Sequence, residues 1–432
     1  MNPRPHLPPG PFLVAGLARS GTAAALALRA RGEEVIGCDA GTPEAGRLRE
    51  AGVEVHLGTP GGELASRART LVKSPGVPRE APVVAAARER GLAIIGELEL
   101  AWRLIPNEFI AVTGTNGKTT TTELIGAMLR AGGLTVEVAG NVGRALTELP
   151  GRIDPDAWVV AELSSFQLED IDTFHAEVAV VLNITPDHID RHGSLDNYLR
   201  AKLRVLENQR PEDVAVLNAD DPILRAADLP GRGRREWFSR DQSDRIDWQH
   251  AGIRGQHNLE NALAAALAAE AIGVSLADRN RALREFTAPP HRLELVATRD
   301  GVAFVNDSKA TNPEAAMMAL TAFDGGVRLI LGGSLKGASF AELAEAVADG
   351  PVAGVYLIGQ AAGTIATELD ERGVAHTDSG DLPTAVAQAA AEASPGDIVL
   401  LSPACASFDQ FRDYEHRGDE FRRLAQEVPV GV

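Results

Sequence analysis

The stretch VTGTNGKTTTTELIGAML, residues 112–129, decides the fold of the central part of the chain. An apolar run, FIAVTG (109–114), is typical of a buried strand, and a helix is predicted from Lys118 to about Arg130. The glycines between them let backbone N–H groups face phosphate oxygens, and the helix N-terminus adds partial positive charge. The stretch therefore predicts a phosphate-binding turn in which Lys118 reaches the β- and γ-phosphates and Thr119 binds Mg²⁺.

The turn is a shortened form of the pattern G-x-x-x-x-G-K-[ST], because Val112 stands at the first glycine position. An ordinary glycine-rich turn between a strand and a helix is the alternative, and the Lys-Thr-Thr sequence that follows favours phosphate binding. The nucleotide-binding residues predicted here are Gly114, Thr115, Asn116, Gly117, Lys118, Thr119 and Thr120.

A weaker candidate for a nucleotide site lies nearer the N-terminus, between the predicted strands FLVAG (12–16) and EEVIGCD (33–39). Ala18 takes the second glycine position of the dinucleotide pattern G-x-G-x-x-G, whereas Asp39 ends the second strand roughly where such a site keeps its acid. A later turn, Ser74-Pro75-Gly76, closes another strand on the same crevice. Simple packing and a plain Pro-Gly turn explain these two features equally well.

Short apolar runs alternate with Ala- and Leu-rich helical stretches along the chain, which predicts α/β layers with mostly parallel sheets. The pattern restarts at residue 109 and again after the pair Pro289-Pro290. We therefore expect three α/β domains. They are a Rossmann-like N-terminal domain over residues 1–96, a central P-loop ATPase domain over residues 97–290, and a Rossmann-like C-terminal domain over residues 291–432.

Charge and cysteine content exclude several classes of protein. The 42 Lys+Arg residues against 60 Asp+Glu give a net charge of −18, which argues against nucleic-acid binding. The two cysteines, Cys38 and Cys405, cannot form a disulfide framework or a structural zinc site, and they fit a reducing compartment. No apolar run reaches the length of about 18 residues that a membrane helix needs, so we expect a cytoplasmic protein without a membrane span.

Lysine is scarce, since only five of the 42 Lys+Arg residues are lysine. They are Lys73, Lys118, Lys202, Lys309 and Lys336. Where arginine serves every general need for positive charge, a retained lysine is a candidate for chemistry that a guanidinium cannot supply. Simple survival in a biased composition is the alternative.

A candidate metal site follows from two neighbouring strands. Glu162 stands in the run WVVAEL (158–163), at a strand end where Mg²⁺ needs a hard oxygen ligand. His188 follows the next run, VAVVLNI (178–184), and Lys202 lies on the helix after it. An unmodified ammonium does not belong beside a metal, whereas an amine that has taken up CO₂ is a carbamate, which is an oxygen ligand. A solvated Glu and a solvated Lys are the ordinary alternatives.

Eight segments between residues 114 and 421 resemble the Mur ligases, and the resemblance runs from the first unit to the C-terminal helix, which is essentially the whole chain. They are GTNGKTT (114–120), AELSSFQLE (161–169), NITPDHIDRHGSLDNYLRAK (183–202), RGQHNLENALAA (254–265), PPHRLE (289–294), NDSKATNP (306–313), LGGSLKGASF (331–340) and LSPACASFDQFRDYEHRGDEF (401–421). The resemblance implies three domains, which bind a UDP moiety, ATP and an amino-acid substrate in that order. One departure is that Leu335 precedes Lys336, where many relatives have Asp.

The resemblance also implies residue roles. It makes Lys118, Lys202 and His188 the catalytic residues. It implies two Mg²⁺ ions, with Thr119, Glu162, His188 and a carbamate on Lys202 as ligands. Further ATP contacts are Asn258, Asn261, Arg292 and Asp307, with His257 and Lys309 inside the same motifs. The candidate substrate residues are Ser74 from the turn described above and, by resemblance, Asn141, Thr311, Lys336, Ser407 and Tyr414.

The activity that the resemblance implies is an ATP-dependent ligation in the cytoplasmic stage of peptidoglycan synthesis. ATP would phosphorylate the terminal carboxylate of UDP-N-acetylmuramoyl-L-alanine, and the amine of D-glutamate would then displace phosphate. SSFQLE and SPACASFDQF favour D-glutamate over other amino acids. A ligase of the same family with another amino acid or acceptor, including folylpolyglutamate synthetase, is the nearest alternative, and a nucleotide-binding oxidoreductase or switch protein is more distant. We expect a monomer that binds neither nucleic acid nor membrane.

Overall fold

The computed structural model describes residues 4–253, 255–287, 290–335 and 339–428. The strands are β1 (Phe12–Ala15), β2 (Val35–Asp39), β3 (Glu54–Leu57), β4 (Thr70–Lys73), β5 (Ala93–Gly96), β6 (Phe109–Thr113), β7 (Val136–Gly140), β8 (Trp158–Glu162), β9 (Val178–Val181), β10 (Val214–Asn218), β11 (Arg234–Phe238), β12 (Glu294–Arg299), β13 (Val302–Asn306), β14 (Val327–Gly332), β15 (Val352–Ile358), β16 (Thr377–Gly380) and β17 (Ile398–Leu401).

The α-helices are α1 (Arg19–Ala30), α2 (Gly46–Glu50), α3 (Pro82–Glu89), α4 (Glu97–Leu104), α5 (Lys118–Ala131), α6 (Ser165–Leu168), α7 (Ile189–His192), α8 (Leu195–Leu203), α9 (Pro222–Ala226), α10 (Gln256–Ala271), α11 (Leu276–Glu285), α12 (Pro313–Leu320), α13 (Ala341–Asp349), α14 (Ala362–Asp370), α15 (Leu382–Glu392) and α16 (Tyr414–Glu427). Short 3₁₀ helices cover Gly62–Arg67, Leu146–Glu148, Arg204–Leu206, Arg240–Arg245 and Trp248–His250.

The first sheet has the order β3-β2-β1-β4-β5 and is parallel throughout. β1 and β4 are buried along their whole length, as expected for a parallel sheet that is covered on both faces. Phe12 and Leu13 pack into different apolar clusters, because successive residues of a strand point to opposite faces. Lys73 pairs with Ala15 on one side and Gly96 on the other, so the carboxyl ends of three strands lie side by side.

The second sheet has the order β11-β10-β9-β6-β8-β7 and is also parallel throughout. Its register places Val112 of β6 beside Glu162 of β8, and Thr113 beside Val181 of β9. The phosphate-binding turn after β6 and the carboxylate that ends β8 therefore emerge from adjacent strands at the same edge of the sheet.

The third sheet has the order β12-β13-β17-β14-β15-β16, and only the pair β12–β13 is antiparallel. Asn306, which ends β13, pairs with Leu401, which ends β17. The segments NDSKATNP and LSPACASF thus leave the sheet from neighbouring strands, which places both motifs at its carboxyl edge.

The described chain forms two compact units. One contains the first two sheets. The other contains the third sheet together with Thr185–Asp190 and Gly252–Leu259. The domain boundaries near residues 97 and 291 stay a prediction. Within the described ranges, no helix has both the length and the apolar character needed to cross a membrane.

The mixed α/β architecture with mainly parallel sheets confirms the fold predicted from the sequence. The apolar runs do not predict four strands, β7, β11, β12 and β16, each of which lies at the edge of its sheet. Edge strands are only partly covered, so their sequences need not be apolar. β16, for example, reads TDSG, and none of the six positions of β12 is fully buried.

Candidate nucleotide and metal site

The phosphate-binding turn has the backbone conformation that only glycine adopts easily. Gly114 has φ +149° and Gly117 has φ +84°. A Cβ on Gly117 would lie 2.2 Å from Oδ1 of Asn261, and one on Gly114 would lie 2.9 Å from Cβ of Leu182. Both the backbone angles and the close packing therefore require glycine. The helix α5 starts directly after the turn, and the N-terminus of a helix is a favourable place for an anion.

Lys118 lies across this turn. Its Nζ donates to the carbonyl oxygens of Gly114 and Thr115 over 2.9 and 2.6 Å. The ammonium is therefore held against the backbone carbonyls of the turn itself. The contact of Lys118 with phosphate stays a prediction.

The segment after β9 holds the turn in place. Asn183 Oδ1 accepts from the backbone N–H of Asn116 over 2.8 Å, and its Nδ2 donates to the carbonyl of Asn116 over 3.2 Å. The hydroxyls of Thr115 and Tyr198 lie 3.1 Å apart. The sequence motif includes Asn183 without indicating this role, because the contact depends on the pairing of β6 with β9.

Two predicted residues, Thr119 and Asn141, donate to the carboxylate of Glu162, and Glu162 is 4% exposed. Thr119 Oγ1 donates to one carboxylate oxygen over 2.7 Å. Asn141 Nδ2 donates to the other over 3.0 Å. A carboxylate and a hydroxyl are the hard oxygen donors that Mg²⁺ prefers, so the chemistry of these side chains suits that ion.

Lys202 lies against the same turn. Its side chain is 2% exposed, and its Nζ donates to the carbonyl of Gly114 over 2.6 Å. The ammonium also lies 4.6 Å from the centroid of the Tyr198 ring. A lysine on a helix is normally solvated, so this burial beside the phosphate-binding turn supports a specific function for Lys202.

The motif HNLEN begins α10. Asn261 is buried and accepts from Thr121 Oγ1 of α5 over 3.3 Å, so it lies close behind the phosphate-binding turn. Asn258 is 9% exposed. Burial lowers the pKa of His257 to about 4, and the nearby charge of Arg292 adds to this effect. His257 is therefore neutral at physiological pH.

The second unit presents Arg292 on a strained loop. His291 and Leu293 have φ angles of +65° and +45°, which non-glycine residues rarely adopt. Leu293 N donates to Oδ1 of Asp307 over 3.2 Å, and Ser402 Oγ donates to Oδ2 over 2.8 Å. Burial nevertheless raises the pKa of Asp307 to about 7. The loop and the predicted nucleotide contact Asp307 thus belong to one hydrogen-bonded arrangement.

Arg417 is a further buried residue of this unit, and the sequence motifs do not predict a role for it. It is 0% exposed, and it donates to Ser308 Oγ, Ser308 O and Cys405 O over 3.0, 2.7 and 3.1 Å. Burial lowers its pKa to about 10. Arg417 therefore fastens α16 to both the NDSKATNP and the LSPACASF segments. It sits inside the quoted motif RDYEHRGDEF, but no local spacing indicates these partners.

The remaining predicted residues lie as follows. Ser407 is buried, and Thr311 and Tyr414 are half-buried, in the second unit. The ring of Tyr414 lies 5.0 Å from Nζ of Lys309. His188 has φ +54°, and its backbone N–H donates to Asp187 Oδ1 over 2.9 Å. Ser74 lies in the first sheet's turn, and Lys336 lies outside the described residues. Among those residues, no group of three or more His, Cys, Asp or Glu side chains could hold a metal ion.

Comparison with known proteins places the chain in a family. Family models match the chain as the Mur ligase middle domain over residues 112–232 and as the Mur ligase glutamate ligase domain over residues 291–405. A protein of Acidobacterium capsulatum is 45% identical over 440 residues, which is 95% of each chain. One of Pelotomaculum thermopropionicum is 43% identical over 446 residues, covering 97% of this chain and 98% of its own. This chain therefore belongs to the Mur ligase family.

Both relatives carry the name UDP-N-acetylmuramoylalanine--D-glutamate ligase. Among solved structures, the MurF ligase of Thermotoga maritima in complex with ADP matches with a TM-score of 0.61 and 17% identity, covering 98% of this chain and 96% of that one. The UDP-N-acetylmuramate-alanine ligase MurC of the same organism matches with a TM-score of 0.60 and 19% identity, covering 97% and 99%. At these identities the structural likeness shows the shared fold.

Proposed function

We propose that this Mur ligase joins D-glutamate to UDP-N-acetylmuramoyl-L-alanine in an ATP-dependent reaction that releases ADP and phosphate. The observation that carries the proposal is the likeness over nearly the full chain to relatives named for this reaction. The cluster of Lys118, Thr119 and Glu162 at one sheet edge supports the ATP-dependent part.

The first step is transfer of the γ-phosphoryl group of ATP to the terminal carboxylate of the UDP substrate. Phosphoryl transfer needs positioning and charge stabilisation more than covalent chemistry. The N–H groups at the start of α5 and the ammonium of Lys118 offset the negative charge on the phosphate oxygens. The amine of D-glutamate then attacks the acyl phosphate, and phosphate leaves from the tetrahedral intermediate.

We propose Thr119, Glu162, His188 and a carbamate on Lys202 as the ligands of two Mg²⁺ ions. Bound there, the ions would neutralise charge on the transferred phosphoryl group. The described side chains of Thr119 and Glu162 already share a hydrogen bond, so their oxygens converge. The carbamate is the one ligand that requires a covalent modification, in which the amine of Lys202 takes up CO₂.

The other residue roles are proposals of the same kind. Asn258, Asn261, Arg292 and Asp307 are proposed ATP contacts. Ser74 and Asn141 are proposed contacts of the UDP substrate, and Thr311, Lys336, Ser407 and Tyr414 are proposed contacts of D-glutamate. We further propose the domain division 1–96, 97–290 and 291–432, and a monomeric cytoplasmic protein that binds neither nucleic acid nor membrane.

The test is phosphate release from ATP with each substrate omitted in turn. We expect release only when both D-glutamate and UDP-N-acetylmuramoyl-L-alanine are present. Equal turnover with L-lysine or meso-diaminopimelate would overturn the substrate assignment, and turnover with a folate acceptor would point to folylpolyglutamate synthetase. Hydride transfer to a nicotinamide cofactor without phosphate release would point to an oxidoreductase.

A further inference from the structure

An ion pair between a buried lysine and a half-buried aspartate joins the first sheet to the second. Lys73 ends β4 and is 1% exposed, and its Nζ lies 2.7 Å from Oδ2 of Asp170, which follows α6. The same ammonium donates to the carbonyl oxygen of Val77 over 3.0 Å. Burying a charge is costly unless it is paired and hydrogen-bonded. Both partners are therefore needed to keep Lys73 in this position.

On the side of the first sheet, Lys73 holds a turn. Val77 N donates to the carbonyl of Ser74 over 3.0 Å, which closes the segment Ser74-Pro75-Gly76-Val77. Ser74 Oγ donates to the carbonyl of Gly16 over 2.7 Å. A Cβ on Gly16 would lie 2.7 Å from Cγ2 of Val77, so the turn packs directly on the loop after β1. The turn and that loop form one arrangement, and Lys73 fixes its far end.

On the side of the second sheet, Asp170 belongs to the segment that follows the strand of Glu162. The carbonyl of Asp170 accepts from Gly96 N over 3.1 Å, and a Cβ on Gly96 would lie only 2.9 Å from Cβ of Asp170. The preceding residue, Glu169, lies 3.1 Å from Nδ1 of the buried His192.

Further polar contacts lead from Glu169 back toward β8, the strand that ends at Glu162. Nε2 of His192 lies 3.0 Å from Oγ of Ser165, the first residue of α6. Ser165 stands three residues after Glu162. Polar contacts thus join Lys73 to Asp170, and the adjacent Glu169 through His192 to Ser165. The chain itself connects Asp170 to Glu169 and Ser165 to the strand end that carries Glu162.

We propose that Lys73 is a positioning residue that holds the turn of the UDP-binding domain in register with the ATP site. This inference rests on the proposed function, in which one substrate extends from a UDP moiety to the carboxylate that is phosphorylated. Both ends of such a substrate must be fixed at once, so a small shift between the two sheets would misplace the reacting group. A compact ammonium fits between a carboxylate and a carbonyl, whereas the larger planar guanidinium of Arg requires a different geometry.

The experiment must separate positioning from simple stabilisation. Lys73→Met alone leaves Asp170 buried without its cation, so the main variant is the charge-neutral double variant Lys73→Met/Asp170→Asn, with Lys73→Arg as a second variant. Arg67→Met is the matched control, because Arg67 pairs with Glu54 over 2.7 Å on the exposed surface of the same sheet. Each protein is measured for melting temperature, for the Kd of UDP-N-acetylmuramoyl-L-alanine by calorimetry, and for the KM of each substrate.

We expect the double variant and Lys73→Arg to bind the UDP substrate roughly ten- to a hundredfold more weakly. We expect the KM values for ATP and D-glutamate to change by less than about twofold, and Arg67→Met to match the wild type. Wild-type affinity in the double variant, or equal rises in all three KM values with a lowered melting temperature, would overturn the proposal. Failure of the proposed function is distinct, because the wild type itself would then release no phosphate when ATP, D-glutamate and the UDP substrate are combined.

Discussion

The carboxylate of Glu162 accepts a hydrogen bond from Thr119 Oγ1 over 2.7 Å, and this bond joins the end of β8 to the first turn of α5. The second carboxylate oxygen accepts from Asn141 Nδ2 over 3.0 Å. One buried side chain therefore links the phosphate-binding turn to a residue proposed to contact the UDP substrate. A substitution of Glu162 therefore tests both contacts at once.

Glu162→Gln is expected to lower kcat/KM at least about a hundredfold, because the amide keeps the shape of the side chain but removes the charge that Mg²⁺ requires. The measurement is phosphate release as a function of Mg²⁺ concentration. Glu137→Gln on the neighbouring strand β7 is the control, since Glu137 is a partly exposed partner of Arg144. Normal Mg²⁺ dependence in Glu162→Gln would exclude this carboxylate as a metal ligand.

Lys202→Arg and Lys202→Ala are both expected to lose nearly all activity, because neither side chain can form a carbamate. Short carboxylic acids should restore part of the activity of Lys202→Ala, where a cavity remains, and should not restore that of Lys202→Arg. Lys118→Ala serves as the control, since its proposed role is that of a cation and a carboxylate cannot replace it.

A second measurement tests the carbamate directly. Wild-type protein equilibrated with ¹³C-labelled bicarbonate should show a carbamate carbon resonance, and Lys202→Ala should not. Full activity of Lys202→Arg without such a resonance would contradict the carbamate proposal.

The parts of the fold and site that the sequence predicts depend on local patterns. The turn from Gly114 to Lys118 combines an apolar strand, glycines at fixed places and a following helix, and all of this lies within a few residues. The strand ends of β6 and β8 follow from apolar runs. Once these strands are adjacent in a parallel sheet, Glu162 must emerge near the turn.

The contacts that the sequence does not predict join distant segments. The pair Lys73–Asp170 joins the end of β4 to the segment after α6. The scarcity of lysine draws attention to Lys73, but nothing in the sequence pairs it with Asp170. Arg417 resembles any arginine of a polar C-terminal helix, yet it is fully buried and bonded to Ser308 and Cys405. Such roles depend on which strands become neighbours, and apolar periodicity does not specify strand order.

Asp307→Asn tests a pH dependence of stability. Burial raises the pKa of Asp307 from 3.8 to about 7, so between these values the unfolded chain ionises while the folded carboxyl stays protonated. The free energy of unfolding of the wild type, relative to the neutral variant, should therefore fall as pH rises from about 4 to 7, by up to about 1.4 kcal/mol per pH unit. Above pH 7 the difference should be constant.

The measurement for Asp307→Asn is thermal melting of both proteins at pH 5, 6, 7 and 8. The control is Asp381→Asn, since hydrogen bonds from Thr384 lower the pKa of Asp381 below 3.8 and no trend should remain above pH 5. A difference between wild type and Asp307→Asn that does not vary with pH would show that Asp307 ionises normally in the folded protein.

Gly418→Ala is expected to disturb the loop that carries Arg292. Gly418 lies in α16, where a Cβ would stand only 2.1 Å from Nδ1 of the buried His291, so the ring must move. Overpacking of this kind costs about 1–3 kcal/mol, more than the up to about 1 kcal/mol that alanine gains over glycine in a helix. The variant should therefore melt at a lower temperature, and its KM for ATP should rise because His291 directly precedes Arg292.

Gly363→Ala in α14 is the matched control, because nothing lies within 4 Å of its Cβ position, and it should melt at the wild-type temperature or above. Equal behaviour of the two variants would show that the contact between α16 and His291 does not constrain the loop.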